Sequence, residues 1–389
     1  MALLSGSLSA IVVAAISHMS HWWFLSCVEG PHMRRVYGAD VRKDSGVTKQ
    51  LKQLDMRGRR DLLDLFTKSA GELLDDWFES APLKAALGWD SAVGNFASPY
   101  TPGSAYVLLH HVFGEVNGKS GVWGHAIGGM GAITQAMARA ARSHGVEIET
   151  DAPVREVIVE NDRATGVILD SGETVRAKYV VSNVNPKLLY TRLVPEGALA
   201  GEFRTRISRW QNGSGTFRMN VALSALPSFT ALPGPGDHLT AGIIIAPSLG
   251  YMDRAWRDAR EFGWSRAPVV ELLIPSTLDD SLSPPGQHVA SLFCQHVHPV
   301  MPDATGGWDA HRDTVARLMI DTVDAAAPNF ARSVLGFEAL TPLDLERRFG
   351  LVGGDIFHGK MGLDQLFSAR PMIGAADYRM PLPGLYLCG

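Results

Sequence analysis

Cysteine is scarce: three in 389 residues, Cys27, Cys294 and Cys388, far apart and without a CxxC pair. So odd and scattered a set encodes neither a disulfide framework nor a thiolate zinc site, and it fits a reducing intracellular compartment. Blocks of one charge sign are missing too. The formal net charge is −4, with Lys and Arg dispersed, which leaves no electrostatic footprint for nucleic acid or an anionic membrane surface. Runs of about 20 apolar residues, the length a membrane span needs, do not occur. The apolar stretch Ala10–Ile16 runs into His18, His21 and several serines, and no Lys or Arg precedes it. It reads as a buried strand or an aberrant gene-model segment in preference to a signal peptide or anchor. GxSxG, HExxH, Walker and EF-hand patterns are absent, which argues against the common hydrolase, zincin, nucleotide-hydrolase and calcium classes. Internal repeats are absent as well.

What is present is a globular composition, 46% hydrophobic and 20% charged, enough for one large core or two moderate ones. Residues 1–58 carry no sustained periodicity and stay unassigned. From Arg59 onward Leu62, Phe66, Leu73 and Trp77, with Leu63, Ala70, Leu74 and Phe78, make an apolar stripe that predicts one helix of about five turns. Residues 97–131 read as ligand-approaching loops ending in Gly128-Gly-Met-Gly131. A helix over Met130–His144, capped by Gly145, leads into strands over Val146–Thr150, Val154–Glu160, Ala164–Asp170 and Thr174–Ser182. Further strands are expected at Phe217–Leu223, Val269–Ile274 and His288–His296, turns at Pro233–Gly236 and Pro284–Gly286, and a helix at Ala310–Ala326. His296-Val-His298 would place two imidazoles on one strand face. With no third ligand nearby in sequence, no metal site is assigned. At the end, Gly384-Leu-Tyr-Leu-Cys-Gly389 is a buried-strand pattern followed by a glycine.

Four groups of segments, in order, carry a resemblance. They are Asp76-Trp-Phe-Glu-Ser80 with Tyr100–His111; Trp123-Gly-His-Ala-Ile-Gly-Gly-Met-Gly131 with Val181-Ser-Asn183; Leu345–Gly350 with Gly354-Asp-Ile-Phe-His358; and Leu363–Leu366 with Ala369–Pro371 and Gly384–Gly389. Across about residues 60–389 the chain resembles the FAD-dependent oxidoreductases that include bacterial phytoene desaturases, within the amine oxidase superfamily. The resemblance implies an α/β fold: a Rossmann-like FAD-binding layer, here partial, and a mixed-sheet substrate domain topped by helices. It divides the chain into 59–122 (substrate-domain helices and pocket loop), 123–184 (second flavin segment), 185–345 (substrate domain) and 346–389 (return to the flavin layer). It implies FAD as cofactor, an apolar, polyene or lipid-like substrate, dehydrogenation or isomerisation as the reaction, and a mitochondrial matrix location in a eukaryote or cytoplasm in a bacterium.

In that family the chain enters the flavin layer three times. The first visit carries a GxGxxG turn whose glycines let the backbone approach the pyrophosphate. This sequence contains no such turn; in the corresponding place it reads Ala14-Ala-Ile-Ser-His18. The second visit implies cofactor roles for Gly128, Gly129, Met130, Gly131, Val154, Ser182 and Asn183, and the third for Gly389. Gaps on both sides of one cofactor site are what a clipped or frame-shifted gene model produces, so the chain as written is expected not to retain FAD. Tyr106, His110, His111, Phe357 and His358 are implied to line the substrate pocket. Read without the resemblance, His110-His111 fits a strand with one histidine buried and one exposed, and 355–358 fits a surface loop. A flavin takes the hydride itself, so no triad is expected and no catalytic residue is assigned. The rival reading is a non-catalytic interaction protein built on the substrate domain. With no first flavin unit to cover them, Tyr179, Val181, Leu385 and Leu387 are expected to face water.

Overall fold

The computed structural model describes residues 53–112, 115–120, 124–301, 306–376 and 378–388. The apolar stretch near residue 10 and Gly389 lie outside the described residues. Among those described, no helix is long and apolar enough to cross a membrane.

The expected five-turn helix is two helices, α1 (Met56–Thr67) and α2 (Ala70–Trp77). The break is a reciprocal cap. The Ser69 hydroxyl accepts from the Glu72 amide at 3.1 Å, and the Glu72 carboxylate accepts from the Ser69 amide at 2.9 Å. Such a capping box starts a new helix wherever it occurs. Of the expected apolar stripe, Ala70 and Leu74 are buried and Leu62, Phe66, Leu73 and Phe78 half-buried, while Leu63 and Trp77 face water; Leu65, outside the expected stripe, is buried. α3 (Ala81–Ala92) and α4 (Ser104–Val112) follow. α4 replaces a predicted loop: Gly103 turns the chain at φ +83°, and the eight residues after it contain no glycine or proline to stop a helix. After the short hairpin β1 (Glu115–Val116) and β2 (Lys119–Ser120) comes α5 (Met130–Ser143). Gly145, at φ +79°, ends it as expected.

An antiparallel meander, β3 (Val154–Glu160), β4 (Arg163–Leu169) and β5 (Thr174–Arg176), matches its prediction except at both margins. Val146–Thr150 is not a strand; its Val146 and Ile148 are exposed. The predicted strand 174–182 splits, and its second half, β6 (Val180–Ser182), leaves the meander to pair elsewhere. α6 (Gly201–Ser208) leads into the central sheet. Its strands are β7 (Phe217–Leu223), β8 (Ile243–Ile245), β9 (Trp264–Leu273), β10 (His288–Val297) and β11 (Val334–Leu340), ordered β11-β7-β10-β9-β8 and antiparallel throughout. α7 (Leu249–Phe262) joins β8 to β9, α8 (Gly307–Ala326) joins β10 to β11, α9 (Pro342–Phe349) follows β11, and β12 (Leu385–Leu387) pairs with β6 in parallel.

Strict alternation in β7 buries Phe217, Met219, Val221 and Leu223 beneath α8 residues Val315, Met319 and Val323. The opposite sheet face receives a second core from α2, α3 and α7, centred on Leu74, Trp89, Met252 and Phe293. A third core joins β3 and β4 to Tyr190, Ile207, Trp210 and Leu385. Leu385 and Leu387 therefore depart from expectation: Leu385 is 1% exposed because the segment 375–382 folds under it, and Leu387 is half-buried against the same core, whereas Tyr179 at 52% and Val181 at 63% do face water.

Candidate functional site

Four of the five pocket residues expected from sequence form one continuous aromatic wall. Tyr106 and His110 lie one helical turn apart on α4, their ring centroids 6.4 Å apart. His110 meets His111 at 5.2 Å, and His111 meets Phe357 at 5.8 Å. Phe66 of α1 stacks on Tyr106 at 5.3 Å, and Phe367 closes on the same ring at 5.1 Å. These two phenylalanines carried no motif that could have marked them. The histidine pair sits on a helix and not on a strand, with His111 buried and His110 exposed. His111 Nδ1 lies 2.9 Å from the Val107 carbonyl oxygen, and burial pushes its pKa down to about 4, so the ring is neutral at physiological pH. His110 is lowered as well, by burial first and then by the charge of Arg370.

Phe357 reaches the wall because position 94 has no side chain: a Cβ on Gly94 would come within 1.9 Å of its ring. The loop carrying Phe357 is pinned by Asp355, which is fully buried and accepts from the amides of Gly213 and Phe357, each at 2.8 Å. Burial raises the Asp355 pKa, while those amides and Arg370 oppose the shift. Arg370 donates to the Phe357 carbonyl and lies 5.5 Å over the Trp210 ring. The Trp210 indole N–H donates to the His358 carbonyl at 2.9 Å. His358, at φ +57°, therefore contributes its backbone to this lock, and no aromatic contact joins it to the wall among the described residues.

The residues expected near a flavin fall into two places. Ser182 and Asn183 stand at the carboxyl end of the parallel pair β6 and β12, where Leu387 is in register with Ser182 and the Cys388 amide donates to the Ser182 carbonyl at 2.8 Å. Ligands of open α/β sheets bind beyond the carboxyl ends of parallel strands. Val154 begins β3, exposed. The Gly128–Gly131 turn is tied instead to the segment between β9 and β10. Gly128 and Gly129 have φ of +83° and +75°, the Gly128 amide donates to Asp279 Oδ2 at 2.6 Å, and His125 lies 3.6 Å from the same oxygen. Met130 is exposed at the start of α5, a helix with no buried residue.

These residues do not fit FAD as a whole. The parallel strand ends suit a dinucleotide, but the Gly128 amide points at the Asp279 carboxylate, which repels phosphate, the Gly129 amide donates to the Ala126 carbonyl, and the sequence has no GxGxxG turn. Among the described residues no group of three or more His, Cys, Asp or Glu side chains is placed to hold a metal. His296 is fully buried, and His298 lies beyond the end of β10; both rings meet Phe96, at 6.0 and 5.5 Å.

Residues 40–216 match the family model described as flavin containing amine oxidoreductase, and residues 1–40 match the one described as phospholipid methyltransferase. The chain is 45% identical over 336 residues to the rat (Rattus norvegicus) pyridine nucleotide-disulfide oxidoreductase domain-containing protein 2, covering 84% of this chain and 57% of that protein. Over 54 residues it is 82% identical to phosphatidylethanolamine N-methyltransferase of Malassezia globosa, covering 14% of this chain and 6% of the relative. Among solved structures, a variant of putrescine oxidase superposes with a TM-score of 0.55 at 14% identity, covering 97% of this chain and 69% of that one. The chain thus spans little more than half the length of the flavin-family relative that it matches.

Proposed function

Since this chain belongs to the flavin-containing amine oxidoreductases, we propose that residues 53–388 are the substrate-holding part of an FAD-dependent oxidoreductase that dehydrogenates or isomerises an apolar, polyene-like or lipid-like molecule. The observation that carries this reading is the aromatic wall. Tyr106, His110, His111 and Phe357, joined by Phe66 and Phe367, form a chain of rings in contact, with centroids 5.1 to 6.4 Å apart. A flavin supplies hydride transfer when bound, and the chain's own residues are left to bind, orient and keep water from an apolar substrate. The test is to join residues 60–388 to the missing portions of a full-length relative and measure flavin reduction by polyene substrates. Reduction that is unchanged when Tyr106 and Phe357 are both replaced by Ala would sink the reading.

A second reading, a non-catalytic interaction protein, draws on α5, whose Met130, Ile133 and Met137 are all exposed. Colour separates the two. A purified chain that is yellow favours the enzyme, and a colourless one that captures a stoichiometric partner favours the interaction protein.

The first forty residues belong to neither reading. They match a family unrelated to the rest, and their relative contributes only 6% of its length, too little for a methyltransferase site. We propose that two unrelated coding sequences meet between codons 40 and 58.

A further inference from the structure

The sheet face turned away from α8 carries a charged row that the aromatic wall does not use. Phe293 of β10 is in register with Arg218 of β7 on one side and Glu271 of β9 on the other, while Leu340 and Ile244 extend the row at its two ends. Residues in register across neighbouring strands share a face about 5 Å apart, so the guanidinium and the carboxylate flank one ring. Arg218 lies 4.8 Å over the Phe293 ring, and Trp89 of α3 meets that ring edge-on at 6.0 Å. Beside Trp89 on the same helix is Asp90. One row inward the sheet is covered: Val269 and Gln295 are fully buried. One row outward Asn220, Leu273 and Glu338 are exposed. Arg218, Glu271 and Asp90 are half-buried at that boundary, where the helical layer ends.

We propose that Arg218, Glu271 and Asp90 form a polar clamp for the neutral oxygen of an otherwise apolar ligand, an alcohol or a ketone at the end of a hydrocarbon chain. This deepens the apolar-substrate reading above and rests on it. Arg218 has donors to spare: its Nη2 donates to Ser291 Oγ at 3.1 Å, while Glu271 acts on it from two strands away. Burial, and then the charge of Glu271, pushes Asp90 up to about 7, and burial raises Glu271 too, with Arg218 and the Trp89 indole opposing that shift. The set is therefore one guanidinium facing two carboxyl groups that burial shifts toward the neutral form, Asp90 being about half protonated at neutral pH. An ammonium paired with Glu271 also faces Arg218, and a carboxylate paired with Arg218 also faces Glu271, so the attraction of each ion is offset by a like charge across the same ring and its desolvation is left uncompensated. A neutral oxygen meets only complements. The guanidinium donates to a ketone, and Glu271 also accepts the proton of an alcohol. Leu340 and Ile244, half-buried at the two ends of the row, give the hydrocarbon a place to lie, whereas Phe293 is itself buried.

Equilibrium dialysis of the purified full chain against decane, 1-decanol, 2-decanone, decylammonium and decanoate tests this, because the five differ only at the head. The alcohol and the ketone should bind about tenfold tighter than decane, and the two ions no tighter than decane. Arg218→Met should remove the advantage of both neutral heads, and Glu271→Gln chiefly that of the alcohol, with decane affinity unchanged. If Arg218→Met fails to fold, Arg218→Lys, which keeps the charge but not the planar fork, should still weaken the ketone by about threefold. Equal affinities across the series, tightest binding of either ion, an advantage that survives in Arg218→Met, or a ketone affinity unchanged in Arg218→Lys would overturn the clamp alone. Failure of every member to bind, decane included, would overturn it together with the apolar-substrate reading.

Discussion

The Asp279 carboxylate accepts a 2.6 Å hydrogen bond from the Gly128 amide across a sequence separation of 151 residues, so the glycine turn before α5 is fastened to the segment between β9 and β10. The Ser281 hydroxyl first, and then that amide, hold the Asp279 pKa down to about 2. A carboxylate whose folded pKa is depressed contributes stability above its unfolded pKa and loses it as pH falls through the folded value. The tether should therefore hold at neutral pH and fail only toward about pH 2. Asp279→Ala should speed amide exchange at 124–131 while leaving 307–326 unchanged. Equal exchange in both proteins at 124–131 would show that the turn stands without its anchor.

Flavin content follows from the same contact. With a carboxylate at the glycine turn and no GxGxxG turn in the sequence, this chain purified alone is expected to be colourless. Stoichiometric flavin absorbance that survives gel filtration would contradict this.

Acid should weaken the fold through two buried histidines. His111 and His296 are lowered by burial to about 4 and about 3 from an ordinary value near 6.5. Both stay neutral in the folded chain at pH values where the unfolded chain takes up protons. Their contribution is therefore complete above about pH 6.5 and is lost as pH falls toward the folded values. At about 1.4 kcal/mol for each pKa unit, His111 alone accounts for about 3 kcal/mol between neutrality and pH 4. Urea unfolding of His111→Phe should depend less steeply on pH than the parent across that window; identical slopes would mean that His111 is solvated.

Gly94→Ala should damage the aromatic wall. The backbone at Gly94 has φ +60°, and the added methyl would fall within 1.9 Å of the Phe357 ring. Left-handed strain plus ring displacement predicts a loss of about 2–4 kcal/mol. Thermal unfolding measures it, and Gly94→Ala combined with Phe357→Ala should recover part of the loss. No recovery in the double variant would mean that strain, and not the ring, sets the cost.

The transcript offers an independent check on the first forty residues. Sequencing of cDNA is expected to yield messages that enter codons 60–389 without the upstream forty, and messages that carry those forty without codons 60–389. A single abundant message spanning codons 1–389 would refute the proposed junction.

Periodicity and turn chemistry determined much of this protein directly. The stripe from Leu62 to Phe78, the alternation of Phe217, Met219, Val221 and Leu223, and the turn at Gly145 are local patterns whose physics acts within a few residues, so they survive in the sequence unaided. The capping box at Ser69 and Glu72 was also written there, and it explains why one predicted helix is two. Tertiary structure alone decided the rest. Nothing within Val180–Ser182 says that it should leave the meander to run parallel with Leu385–Leu387, because a parallel partner lies some two hundred residues away and leaves no local mark. Leu385 is buried by a segment that was not expected over it, whereas Tyr179 and Val181 are left exposed by the described residues. Phe66 and Phe367 join Tyr106, and Arg218 and Glu271 share Phe293, only because chain folding brings separate helices, loops and strands into register. Side-chain pairing across that distance is a property of packing, and a one-dimensional pattern does not carry it.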